Sequence, residues 1–188
     1  MKKLLLHSCC APCSSTVLER IGEDFHITIY YYNPNINTPL EFLRRREEYE
    51  KLKNLPLKHG FDVVTEEYRP EEYDEAVNGL EDLGEGSKRC YECYKFRMAK
   101  TAKYASSNGF DAFATTLSVS RYKKSEWVSE IGKKLEKEFG ITYLDENFKK
   151  KDGYKRSIEL SKELGLYRQD YCGCKYSKAE SAVRKHNG

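Results

Sequence analysis

At 188 residues, 39% of them apolar and 34% charged, the chain suits one globular domain over 1–188 with a core of its own, and disorder is excluded by its aromatic content. A net charge of +3 singles out no partner. No stretch nears the roughly 18 apolar residues of a membrane span, and "MKKLLLHSCCAP" turns polar too early for a signal-peptide core, so a cytoplasmic protein without a membrane partner is expected.

"KKLLLHS" predicts a buried strand, followed by the helix "TVLERIG" with Ser14 or Ser15 as its cap. "HITIYYYNP" (26–34) reads as a second strand. "PLEFLRRREEYEKLKNLPLKHG" has helical spacing up to His59-Gly60, and "FDVVTEEY" reads as a third strand. "PEEYDEAVNGL" opens a helix at Pro70, with two glutamates in the first turn. A Gly-rich loop leads to a helix over about 88–107, which carries Cys90 and Cys93 near its start so that both thiols can face one object. "FDAFATTLS", the amphipathic helix "SEWVSEIGKKLEKEFG", the strand "ITYLDE" and the helix "GYKRSIELSKELGL" follow. The tail is expected to hold a glycine-hinged turn and one or two helical turns. Alternating strands and helices imply an α/β fold, a parallel sheet with helices on both faces, plus a cysteine-containing C-terminal tail. Ligands in such sheets bind outside the carboxyl ends of the strands, where the first strand delivers its cysteines.

Seven cysteines fall into three groups, "CCAPC" (Cys9, Cys10, Cys13), "CYEC" (Cys90, Cys93) and "CGC" (Cys172, Cys174). An odd count of thiols in a reducing compartment argues against a disulfide framework and for a soft-metal site. Three readings compete. Structural zinc on Cys10, Cys13, Cys90 and Cys93 satisfies a two-knuckle pattern but leaves three cysteines without a role. A dithiol–disulfide oxidoreductase built on "CAPC" uses one group only. An iron–sulfur cluster with a nearby dithiol uses more of the pattern, since the glycine in "CGC" lets its two thiols approach closely.

The segments "LLHSCCAPCSS", "RCYECYKFRM" and "YRQDYCGCKYS" resemble the QueH-type epoxyqueuosine reductases, in the same order over nearly the whole chain. The resemblance implies reduction of the epoxide of epoxyqueuosine to queuosine at the wobble position of tRNAs with GUN anticodons, fed by an electron donor it does not identify. It implies a [4Fe-4S] cluster on Cys9, Cys10, Cys90 and Cys93, and a redox-active disulfide between Cys172 and Cys174. Spacing alone favours Cys10 with Cys13, so Cys13 remains a contested ligand. Room is left for an additional iron held by Cys13 and a carboxylate such as Asp170. Proton-donor candidates are His7, Tyr91, Tyr94, Tyr171 and Asp170. The fold resembles the adenine nucleotide alpha-hydrolase group, a Rossmann-like architecture, but "HSCCAPCSS" lacks the glycines of a phosphate cradle, so ATP use is not expected.

An anticodon loop is read by aromatic stacking and phosphate neutralisation, which favours "SRYKKSEW", "KRCYECYKFR" and "FKKKDGYKR" as contact segments. The expected RNA-binding residues are Arg121, Lys123, Lys124, Lys149 and Lys150. Basic runs of this kind, "RRR" at 44–46 included, are by default solvated helix faces.

Overall fold

The computed structural model describes residues 1–186. Five strands, β1 (Lys2–His7), β2 (Phe25–Tyr31), β3 (Asp62–Thr65), β4 (Ala112–Thr115) and β5 (Thr142–Tyr143), form one parallel sheet in the order β3-β2-β1-β4-β5. The helices are α1 (Ala11–Ile21), α2 (Pro39–Lys53), α3 (Pro70–Ala76), α4 (Lys88–Ser107), α5 (Ser125–Phe139), α6 (Gly153–Glu163) and α7 (Lys175–His186), with a 3-10 turn at Thr116–Val119. No helix of the described residues is long and apolar enough to cross a membrane.

The run of three leucines in β1 is apolar throughout because the strand is covered on both faces. Leu4 and Leu6 pack with Val17, Leu18, Tyr31, Phe42, Tyr49 and Leu52 under α1 and α2. Leu5 points the other way, with Tyr30, Phe113 and the inner stripes of α4 and α5, among them Met98, Ala102, Ile131 and Leu135. Helices therefore cover both faces of the parallel sheet, as the alternating pattern predicts.

Several boundaries differ from the sequence expectation. Ser14 and Ser15 do not cap α1: it begins at Ala11 with Cys10 as its N-cap and Pro12 in the first turn. Proline tolerates that turn because its missing N–H has no helical partner there. Helix α2 stops at Lys53, before Pro56, which disfavours helical geometry in the residue it follows. Strand β5 is two residues long, and α7 is a full helix of 12 residues rather than one or two turns.

Candidate active site

The loop leaving β1 is braced by buried hydroxyls. Ser8 Oγ lies 2.6 Å from Ser14 Oγ and accepts from Tyr49 Oη at 2.8 Å. Thr116 Oγ1 reaches the same oxygen at 3.2 Å, and Asn33 Nδ2 donates to the Ser8 carbonyl at 2.8 Å. This network presents Cys9 and Cys10, both buried, and the half-buried Cys13 in the first turn of α1. Their thiols interact in series. A hydrogen bond to Cys10 and burial raise the Cys9 pKa, and a hydrogen bond to Cys13 is the main cause that pushes Cys10 up to about 11.

The second group comes from two distant segments. Cys90 and Cys93 sit in the opening turns of α4, where Cys90 Sγ accepts from the Gly86 amide at 3.3 Å. Cys93 shares a small apolar cluster with Cys174, Tyr73 and Val77. Burial pushes the Cys93 thiol up to about 12, and the charges of Cys172, Cys174 and Cys90 act in the same direction. The "CGC" loop is pinned from three sides: Asn37 N donates to the Gly173 carbonyl at 2.9 Å, Arg45 Nη1 to the Cys172 carbonyl at 3.2 Å, and the Cys172 amide to Ser177 Oγ at 3.0 Å. All seven cysteines are free thiols.

A cavity of about 590 Å³ opens between the groups, and its lining includes Cys9, Cys10, Cys13, Cys172, Lys123 and Gln169. Three buried arginines surround the cysteines. Arg97 is 1% exposed, donates to the Cys93 carbonyl and to Asn33 Oδ1, both at 3.3 Å, and keeps Nη2 without a partner. Arg45, equally buried, pairs with Glu41 at 2.7 Å, and its Nη2 has no partner. Arg89 pairs with Glu180 at 3.3 Å and leaves Nε without one. Gln169 bonds the Cys10 thiol, while its buried Oε1 has no partner. A buried polar atom left unpaired is costly, so unspent N–H groups of buried cations beside seven thiols fit a bulky, anionic, thiolate-ligated group. Among the described residues, no three His, Cys, Asp or Glu side chains come together as a ready-made single-ion site.

The other expected residues separate. His7 is completely buried, with Nδ1 3.0 Å from Thr115 Oγ1 and Nε2 3.2 Å from the Tyr32 carbonyl. Burial and the charge of Arg97 lower its pKa to about 3. It is a neutral residue tying strand ends together, with neither ring nitrogen left for a substrate proton. Asp170 is exposed and lines the cavity. Tyr171 Oη donates to Asn37 Oδ1 at 2.6 Å, Tyr91 Oη to Glu130 at 3.1 Å, and Tyr94 is buried under α4.

Of the basic residues, Arg121 is exposed and stacks over Tyr122 and Tyr154 at 4.8 and 5.3 Å, and Lys124 lies 4.1 Å over Trp127. Lys149 Nζ donates to the Lys123 carbonyl at 3.0 Å. Lys150 lines a separate polar cavity of about 360 Å³ with Asp145 and Glu146. Lys123 is half-buried: burial opposes its charge, yet the charges of Cys172, Tyr94, Cys9 and Cys13 outweigh that and raise its pKa. Sequence reasoning missed Arg45, Arg89, Arg97 and Gln169. The available signal was an arginine on a helix's apolar stripe, as in Phe42-Arg45-Tyr49-Leu52 and Cys93-Arg97-Thr101, all of them buried.

The family model described as epoxyqueuosine reductase QueH matches residues 4–180. Curated relatives of that name include the Thermotoga maritima protein, 40% identical over 186 residues and covering 96% of this chain and 92% of the relative. The Histophilus somni protein is 42% identical over 191 residues, 99% of this chain and 76% of the relative. The Streptococcus pyogenes protein is 38% identical over 177 residues, 93% and 69% respectively. Among solved structures, a predicted subunit of a tRNA methyltransferase from Methanocaldococcus jannaschii matches with a TM-score of 0.50 at 14% identity, over 100% of this chain and 89% of that one. That likeness concerns the fold alone.

Proposed function

The chain belongs to the epoxyqueuosine reductase QueH family, and on that premise we propose that the thiol-lined cavity is where epoxyqueuosine is reduced. The chain is an oxidoreductase of tRNA modification that converts epoxyqueuosine to queuosine. The finer assignments are ours. Residues 1–188 act as one unit in the cytoplasm on tRNAs with GUN anticodons, and Cys9, Cys10, Cys90 and Cys93 hold a [4Fe-4S] cluster. When bound, such a cluster stores and passes single electrons at a potential set by charge and hydrogen bonds around its sulfurs.

The chain's own residues do the rest. Arg97, Arg45 and Gln169 turn polar groups toward these cysteines and favour their thiolate forms. Cys172 and Cys174 form the exchangeable pair, closed to a disulfide after each turnover and reopened by the electron donor. Overall, epoxide and dithiol give alkene, water and disulfide: two C–O bonds break, one S–S bond forms, and the two thiol hydrogens leave in the water. Cys13 and Asp170, both in the cavity lining, are the side chains we assign to an additional iron. Tyr122 and Tyr154 at the cavity, with Arg121 stacked over both rings and Lys124 two residues after Tyr122, take the anticodon loop by stacking and phosphate contact.

The observation that carries this reading is the gathering of thiols from three segments, roughly eighty residues apart: Cys9, Cys10, Cys13 and Cys172 line one cavity together with Lys123, and Cys93 lies within electrostatic reach of Cys90, Cys172 and Cys174. It is tested by anaerobic reconstitution with iron and sulfide, a visible spectrum and a metal and acid-labile sulfide analysis. A broad sulfur-to-iron absorption is expected, lost in Cys90→Ala but kept in Cys174→Ala, which no longer turns over. Colourless protein with stoichiometric zinc overturns the cluster assignment.

A further inference from the structure

We infer that Lys123 is a catalytic residue of the deoxygenation, whose ammonium grips the departing epoxide oxygen instead of an RNA phosphate. The inference rests on the reductase reading of the cavity above. Its starting point is a departure within "RYKK": Arg121, Tyr122 and Lys124 are exposed, whereas Lys123 is half-buried and lines the cavity with Cys9, Cys10, Cys13 and Cys172.

The backbone holds it there. The Lys123 amide donates to the Ser120 carbonyl at 3.3 Å, closing a turn after β4, and its own carbonyl accepts from Lys149 Nζ at 3.0 Å. Its side chain enters none of the ion pairs formed by lysines among the described residues. The neighbouring cations are placed differently. Arg97 and Arg45, 1% exposed and bound to the Cys93 and Cys172 carbonyls, each keep an unpartnered Nη2 but are not among the residues that line the cavity. Arg168, which is in the lining, reaches the Ser157 carbonyl at 3.4 Å and stacks over Tyr154 at 5.4 Å. Lys123 is therefore the lining cation with hydrogens to give to a ligand.

The chemistry calls for one. Opening the first C–O bond of an epoxide leaves negative charge on oxygen, and breaking the second requires that oxygen to depart as water. The sulfurs of the lining carry no positive charge to offset it, and an ammonium placed beside them lowers the barrier by stabilising charge as it develops. The balance is that of the whole reaction: two electrons and two protons come from the Cys172–Cys174 dithiol, one water leaves, and Lys123 donates a hydrogen bond but no net proton.

The test uses Lys123→Met, Lys123→Arg and Lys123→Ala in full-length protein reconstituted with iron and sulfide, beside the wild type. Three quantities are read: the visible spectrum with iron content, the Kd for epoxyqueuosine-containing tRNA as a function of salt, and the single-turnover rate. Removing one charge-stabilising donor from an active site typically costs about 10²–10³ in rate, so Lys123→Met should lose about a hundredfold in single turnover with spectrum, Kd and salt slope unchanged. Lys123→Arg should recover part of the rate, and added ethylammonium should rescue Lys123→Ala. A wild-type rate in Lys123→Met overturns the inference. So does a loss confined to affinity and salt slope, which makes Lys123 a phosphate contact, or a loss of iron, which makes it structural. A wild type without colour or turnover instead fails the reductase reading itself.

Discussion

Gly173→Ala probes how the fold holds the dithiol. Gly173 has φ +136°, a region that L residues occupy only at a cost of about 1–3 kcal/mol. A Cβ there would stand 3.1 Å from Arg45 Nη1 and 3.4 Å from Asn35 Nδ2. The arginine cannot yield freely, because Nη1 donates to the Cys172 carbonyl and Nε pairs with Glu41. Taking about 2 kcal/mol for the backbone and about 1 for crowding gives a total near 3. If the loop opens to relieve it, about 3 kcal/mol raises the open population roughly a hundredfold. Cys174, 7% exposed in the closed loop, should then be alkylated by iodoacetamide about a hundred times faster, followed by mass spectrometry of the reduced protein. If the whole domain bears the strain, Tm should fall by about 6–12 °C, at about 2–4 °C per kcal/mol for a chain of this size. Wild-type alkylation together with wild-type Tm would refute the argument that glycine is required here.

Three further outcomes follow from packing and charge. In Gly132→Ala the new Cβ overlaps the Tyr143 ring, and overpacking should cost about 2 kcal/mol, read as a Tm drop of about 4–8 °C. Tyr49→Phe removes the hydroxyl that donates to Ser8 Oγ at 2.8 Å in a buried network; a loss of about 1–2 kcal/mol in urea unfolding is expected, and an unchanged midpoint would show that the network does not brace the first thiol loop. Replacing Arg121 and Lys124 together by methionine should weaken tRNA binding and flatten its salt dependence, by about one unit of slope for each phosphate no longer neutralised. Equal slopes would remove that surface from the interface.

The sheet was legible because its signals are local. An apolar run followed by a helical period identifies each strand–helix unit, and the helix at 88–107 is found with those bounds. The start of α1 was misjudged because serine is a strong capping residue, while the structure caps with Cys10 and uses Ser14 inside a hydroxyl network. Within the candidate site, residue type singled out the cysteines as candidates, since clustered thiols have few bland explanations. The arginines stayed hidden for the opposite reason. "RRR" reads as solvated, and its middle member is buried only because α2 turns that face toward the "CGC" loop more than a hundred residues later. The orientation of Lys123 was equally unreadable, because a turn after β4 sets it and periodicity does not extend across turns.

That turn lies where the topology makes a site available. From β1 the chain moves outward through β2 to β3, then returns to place β4 on the opposite side of β1. The loops leaving β1 and β4 therefore diverge to opposite faces and open a crevice at the carboxyl edge, the usual ligand position in such sheets. His7 and Thr115 are register partners and the last residues of their strands. Past Ser8 the chain brings Cys9 and Cys10 in the first loop and Cys13 in the first turn of α1, and the second loop reaches Lys123 eight positions after Thr115. In nucleotide-binding sheets of this kind, the first helix offers free amides to a phosphate across the crevice. Here Cys10 stands at the N-cap of α1 and Pro12 removes one of those amides. The same crevice thus presents sulfur on one lip and an ammonium on the other, an arrangement suited to delivering electrons to a ligand while stabilising the charge on its departing oxygen.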